Sequence, residues 1–183
     1  LFPSYPSLRP VLLDPGHGGL DAAGRYVTPG KRYVFAGPQG PVYEGAQMRV
    51  LAEFLKTWLE GQGVTVSYSL GNDPAEDVPL RDRVAQANGM NPRPLFVSLH
   101  SNALSADSGP GPGQTRARGI SVYTSPGQTK SDTAAGSIWA ALADANLLPM
   151  RKDTRDGDFD FEENFYVLRE TKGPAVLIEL GFH

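Results

Sequence analysis

The sequence predicts a single α/β domain built on a mixed, largely parallel sheet flanked by helices. Three observations carry the prediction. Short apolar runs punctuated by Gly, Pro and Asn alternate along the chain with segments of helical periodicity. Two of the runs, residues 95–99 and 175–180, are apolar almost without a break, as suits strands covered on both faces. The chain has 183 residues, enough for one well-buried domain and too few for two comfortable ones.

Composition narrows the function classes. Hydrophobic residues make up 40% and charged residues 20%, the balance of a globular chain and not of a disordered one. A net charge of −3 leaves no basic footprint for nucleic acid and no polybasic patch for a membrane surface. No apolar run approaches the ~20 residues of a spanning helix, so no membrane span is expected. Residues 1–10 carry Pro3, Pro6 and Pro10 and no apolar core segment; they read as an extended lead-in and not as a secretory signal. Cysteine is absent, which excludes disulfides and thiolate catalysis and leaves His and carboxylate to hold any metal. The histidines are His17, His100 and His183.

Each element follows from local pattern. Val11, Leu12 and Leu13 form a short buried strand, and residues 14–19 form the loop leaving its C-terminal end, with Pro15 and Gly16 setting a sharp turn. Ligands of open α/β sheets gather outside such strand ends, so His17 stands where chemistry usually sits; a turn histidine bonded only to its own loop is the plainer alternative. Residues 20–41 are irregular and rich in Gly and Pro, with one small strand at 32–36, and read as a rim beside the site. Residues 43–59 form the clearest helix: Met48, Leu51, Phe54, Leu55, Trp58 and Leu59 recur at three- and four-residue steps, and Gly61 and Gly63 end it. Glu44 lies in its first turn, where an acid complements the helix dipole and needs no other role.

Residues 64–69 alternate as a strand, and 79–88 form a short helix with Pro79 at its start and Leu80, Val84 and Ala87 toward the core. The strand at 95–99 delivers His100, Ser101 and Asn102 at its end, repeating the situation of His17. Residues 105–118 are a Gly/Pro/Ser-rich loop and 120–123 a further strand. Residues 130–147 form a second long helix with Ala134, Ile138, Ala141, Leu142 and Ala145 on one side, and the mixed charges at 149–164 read as a solvated loop. In the last strand, 175–180, Glu179 interrupts an apolar run. A carboxylate there is costly unless paired, hydrogen-bonded or protonated. A strand end facing a polar site tolerates it; an edge strand with Glu179 in water is the alternative.

Two His and one Glu with an open fourth position form one of the recurring catalytic zinc sets. Such a metal lowers the pKa of bound water to about 7 and polarises a carbonyl; a second carboxylate then takes the water proton and passes it to a leaving amine. His17, Glu44 and His100 can supply the ligands, and Glu179 the base, its apolar strand raising its pKa. The residues lie far apart in sequence, so spacing alone does not establish the set.

Asp14-Pro15-Gly16-His17-Gly18-Gly19, Glu44 opening a helix, Ser98-Leu99-His100-Ser101-Asn102-Ala103 and Val176-Leu177-Ile178-Glu179-Leu180-Gly181-Phe182 resemble the zinc-dependent N-acetylmuramoyl-L-alanine amidases of the cell-wall hydrolase type, the amidase 3 family. Leu80-Arg81-x-Arg83 with Ala87-Asn88, Arg118-Gly119-Ile120-x-Val122-Tyr123 and Asn164-Phe165-Tyr166-Val167-Leu168-Arg169 are similar to that family's intervening blocks. The likeness covers nearly the whole chain after Pro10, in the family's order. It implies a phosphorylase/hydrolase-like α/β fold, an amidase catalytic domain over 11–183, Zn2+ held by His17, Glu44 and His100, and Glu179 as the catalytic glutamate. It implies hydrolysis of the amide between the lactyl group of N-acetylmuramic acid and L-alanine of the peptidoglycan stem peptide. It further implies an exported monomer acting on peptidoglycan in the cell envelope, periplasmic or extracellular, with a protein activator left open. Asp14 or Asn102 would orient a ligand histidine from behind.

Two departures stand out. Residues 20–43 exceed the family's usual link between its first histidine and its glutamate, although Glu44 is the only carboxylate between Asp21 and Glu53. The chain stops at Gly181-Phe182-His183, where the family continues through Ser-Asn into a final helix, as a domain trimmed at its C-terminus would; His183 has no matching role. Two other readings stay open: a zinc carboxypeptidase or deacetylase with similar ligands, and a non-catalytic wall-binding module, whose mark would be a broken ligand set.

Overall fold

The computed structural model describes residues 8–28, 31–34, 38, 40–71, 73, 75–103 and 117–182. They form, in order, β1 (Val11–Pro15), β2 (Arg32–Val34), β3 (Pro41–Tyr43), α1 (Glu44–Gly61), β4 (Val66–Tyr68), α2 (Leu80–Gly89), β5 (Leu95–Asn102), β6 (Ser121–Thr124), α3 (Lys130–Ala145), β7 (Phe161–Glu162), α4 (Tyr166–Arg169) and β8 (Ala175–Phe182). The main sheet has the order β4-β1-β5-β8-β6-β7. Its first four strands are mutually parallel, β6 runs antiparallel to β8, and β7 is parallel to β6. The expected mixed, largely parallel sheet is therefore what the chain builds.

Strand alternation divides the interior in two. Val11 and Leu13, Val97 and Leu99, and Val176 and Ile178 pack with Met48 and Ala52 of α1 and Ala135 of α3. Leu12, Phe96, Ala175 and Leu177 point the other way, onto Val84 and Ala87 of α2 and Val167 and Leu168 of α4. Each central strand thus feeds a core on both faces, which is why its run carries no polar alternation.

The structure differs from the sequence reading at several places. β1 continues to Pro15 because β5 continues beside it, pairing Asp14 with Ser98 and Pro15 with Leu99. The donor that Pro15 lacks would fall on the β4 side, past the last pair of Leu13 with Tyr68, so no ladder bond is lost. Residues 41–43 form a strand that local pattern missed; it pairs antiparallel with β2, so Tyr43 ends a strand and the helix opens at Glu44. Phe54 and Trp58 are 72% and 63% exposed, and the buried stripe of α1 is Met48 and Ala52 with Leu51, Leu55 and Leu59 alongside. On α2, Leu80 faces outward and Arg83 is buried. The segment 149–164 is not wholly solvated: it contains β7 and Asp160, buried, whose carboxyl burial pushes up to about 6 against a hydrogen bond from Thr124. Phe35 and Ala36, residues 1–7 of the lead-in, most of the 105–118 loop and His183 lie outside the described residues.

Candidate active site

The C-terminal ends of β1, β5 and β8 lie side by side, and the first turn of α1 faces them. His17 follows β1 with φ of 60°, a left-handed backbone that costs a non-glycine residue roughly 1–2 kcal/mol. Its carbonyl is held in that position by Arg49 Nη1, which donates at 2.9 Å, and Arg83 Nη2, at 3.4 Å. Glu44 is the first residue of α1 and is only 3% exposed. No side chain caps that helix at Tyr43; instead the Gly45 N–H donates to the Tyr26 hydroxyl at 3.0 Å and the Glu44 N–H to the Lys31 carbonyl at 3.1 Å. The long 20–43 segment therefore supplies the partners that fix the start of α1.

His100 sits within β5 and is registered against Glu179 of β8. One carboxylate oxygen, Glu44 Oε1, lies 2.9 Å from His100 Nδ1 and 3.3 Å from His17 Nε2, and also accepts the Ser101 N–H at 3.3 Å. The two imidazoles meet edge to face at 5.0 Å between centroids. Two glycines permit this approach. A Cβ on Gly16 would lie 2.2 Å from the His100 ring, and one on Gly45 would lie 1.9 Å from the Gly18 carbonyl oxygen.

Electrostatics separates the two glutamates. Burial alone would raise the Glu44 carboxyl, but hydrogen bonds and positive charge from His100 and His17 outweigh it and hold that carboxyl well below the ordinary range. Glu179 has no such compensation. Burial pushes it up to about 7, with His100 and Lys31 pulling down and Glu44 pushing up. Its Oε2 is buried and has no hydrogen-bond partner among the described residues.

Beneath the loop lies a polar network that sequence reasoning found only in part. Asp14, 1% exposed, accepts from Arg83 Nη1 at 2.7 Å, from Ser98 Oγ at 2.6 Å and from the Ser69 hydroxyl. Arg83 also donates to the carbonyls of Pro15 at 2.9 Å and Val78 at 2.7 Å. Thr28 links the same network to the loop, accepting from the Gly18 N–H and donating to Asp77, each at 2.7 Å; Asp77 in turn meets Arg83 at 3.2 Å. Neither Asp14 nor Asn102 bonds a histidine ring among the described residues, contrary to expectation. Asp14 acts on His17 through Arg83 and the main chain. The signal for Arg83 was an arginine one residue before Val84 on the inward face of α2.

The donor atoms of His17, Glu44 and His100 all lie within 4.8 Å of one another, with both ring nitrogens turned toward one carboxylate oxygen. Two imidazole nitrogens and a carboxylate oxygen suit a borderline cation such as Zn2+. A cavity of about 280 Å3 is lined by Ser101 and Leu180, the chain neighbours of His100 and Glu179, with Met48 and Phe182, but by none of His17, Glu44, His100 and Glu179 themselves. The larger cavity, about 1010 Å3, lies at the opposite ends of the strands, among Pro10, Arg93 and Pro174, and shares no residue with the cluster.

A family model described as N-acetylmuramoyl-L-alanine amidase matches residues 11–183. Over 174 residues the chain is 30% identical to "Probable cell wall amidase LytH" of Staphylococcus epidermidis, an alignment covering 95% of this chain and 48% of that protein. The LytH of Staphylococcus saprophyticus is 31% identical over the same shares. The chain thus spans about half the length of the curated relatives it matches. Among solved structures, an N-acetylmuramoyl-L-alanine amidase of Clostridium difficile 630 superposes with a TM-score of 0.73 at 27% identity, covering 97% of this chain and 81% of that one. The amidase AmiC2 of Nostoc punctiforme gives 0.66 at 26% identity, with 94% and 78% covered.

Proposed function

Because the chain belongs to the N-acetylmuramoyl-L-alanine amidase family of the amidase 3 type, we propose that it hydrolyses the amide joining the lactyl group of N-acetylmuramic acid to L-alanine in peptidoglycan. The observation that carries the reading is the convergence of His17, Glu44 and His100, with Glu179 registered beside His100. All four residues come from one chain, so the reading requires no second copy. Residues 11–183 would be the catalytic domain.

The three converging donors would hold Zn2+, which when bound supplies Lewis acidity toward the scissile carbonyl and an acidified water. His17 and His100 would serve as neutral imidazoles, each fixed by its backbone. Glu44 would contribute a full negative charge from a buried position, with the cation in place of the histidine charge that holds its carboxyl low in the metal-free chain. Glu179 projects an unpartnered oxygen from an apolar strand. Such a carboxylate can accept the proton of the attacking water and return it to the departing alanine amine, and a pKa close to neutrality suits both transfers. Peptidoglycan lies outside the cytoplasmic membrane, so on this reading the chain would act in the envelope, periplasmic or extracellular. No described helix is long and apolar enough to cross a membrane.

The test is a digest of purified peptidoglycan with the zinc-loaded chain. New N-terminal L-alanine is expected, and a chelator should abolish it. Glu179→Gln should lower the rate by about 100-fold or more with zinc content unchanged, whereas His100→Ala should lose the zinc. Release of a C-terminal amino acid or of acetate without N-terminal alanine would replace this reading with a carboxypeptidase or deacetylase. A Glu179→Gln variant of undiminished rate would remove Glu179 from the chemistry.

A further inference from the structure

Three carboxylates converge at a second place, remote from the first. Asp132 in the first turn of α3, and Asp158 and Asp160 in the segment leading to β7, each bring an oxygen within 4.8 Å of the other two. Thr124, the last residue of β6, donates to Asp160 Oδ2 at 2.6 Å. Since β6 runs antiparallel to β8 with Ser121 registered on Glu179, Thr124 lies toward the start of β8, away from the end that carries the histidines.

The cluster is not a solvated acidic patch. Asp160 is 2% exposed, and its Oδ1 is buried without a hydrogen-bond partner. The same holds for Oδ1 of Asp158. Asp132 gives one oxygen to the Thr129 N–H in the capping box of α3. Among the described residues, no lysine, arginine or histidine forms an ion pair with any of the three. Three carboxyl groups so close, two of them with orphaned oxygens, repel one another unless something positive stands between them. The Thr129 N–H and the start of α3 offset part of the Asp132 charge, but among the described residues no ion-pair partner faces Asp158 or Asp160.

The donors are all carboxylate oxygen, the preference of a hard cation and not of zinc. Two come from an irregular segment turned by Gly157 at φ of 110° and one from a helix start. That arrangement suits the adaptable coordination of Ca2+ better than the near-ideal octahedron of Mg2+. We propose that Asp132, Asp158 and Asp160 form a calcium site that fastens the segment before β7 to the start of α3 and the end of β6.

The experiment is calcium titration by calorimetry on the zinc-loaded full chain, with thermal melting alongside. One Ca2+ per chain is expected. Glu179→Gln, which is expected to keep its zinc, should bind it equally well. Asp158→Asn and Asp160→Asn should bind it at least about tenfold more weakly, with the calcium-dependent rise in Tm reduced to match. Asp158→Asn is nearly isosteric, removes a repulsive charge from a half-buried position and leaves the Thr124 bond intact, so folding is not at risk. A wild type that takes up no calcium at about 5 mM, well above the weak end of protein calcium sites, would overturn the proposal. So would binding undiminished in Asp158→Asn, or binding lost in Glu179→Gln.

Discussion

Glu179 illustrates what one side chain can carry. Its carboxyl is pushed from an ordinary 4.5 up to about 7 by burial. A group whose folded pKa is raised contributes stability that is fully present below about pH 4.5 and is lost as pH rises through 7. In the metal-free chain, Glu179→Gln should therefore change Tm little at pH 5. It should raise Tm progressively to a plateau above about pH 8, by an amount on the order of 3 kcal/mol at most. A Tm difference that stays flat from pH 5 to pH 8.5 would contradict the buried, unpaired carboxylate. Glu179 was legible in the sequence because a lone charge in an apolar run is conspicuous whatever the fold. His17 and His100 were legible because each follows an apolar strand. Arg83 was not assigned a role, since its burial depends on Asp14, sixty-nine residues away, and on three carbonyls that only the tertiary structure assembles.

At the scale of elements, α2 matters through that arginine more than through its apolar face. Removing it by Arg83→Met leaves Asp14 1% exposed and without its cation. The expected loss is about 3–5 kcal/mol, read as a shift in denaturant midpoint, with the Asp14→Asn/Arg83→Met double variant recovering part of it. A loss below about 1 kcal/mol would mean that Ser69 and Ser98 alone sustain the aspartate. α1 shows how far periodicity reaches. The three- and four-residue recurrence located the helix and an apolar arc of about 140°, yet it did not fix which part of that arc the sheet would cover. Packing against β1 and β5 selected Ala52 with Met48, leaving Phe54 and Trp58 outside. β2 falls within the small strand expected at 32–36, but its partner β3 escaped notice because it has three residues and Pro41 opens it.

For the whole molecule, the candidate ligands are contributed by the loop after β1, the start of α1 and the end of β5, so they come together only when the sheet and helix are assembled. Metal binding would then be part of folding. Zinc at about 100 times its dissociation constant would add about 2.7 kcal/mol, or roughly 5–10 °C in Tm for a chain of this size. A chelated sample should melt lower by that amount, and His100→Ala should show no zinc dependence. The alternation of strands and helices made the layered architecture legible. The antiparallel insertion of β6 between β8 and β7 was not, because strand order is decided by long-range pairing that no local pattern records. The register of His100 with Glu179 has a further consequence. Neighbouring strands in any sheet repeat at about 4.8 Å, so the spacing between the two backbones that carry these groups is a lattice constant of the protein main chain. Loops around the site can vary in sequence and length without changing the gauge of the two groups beneath them.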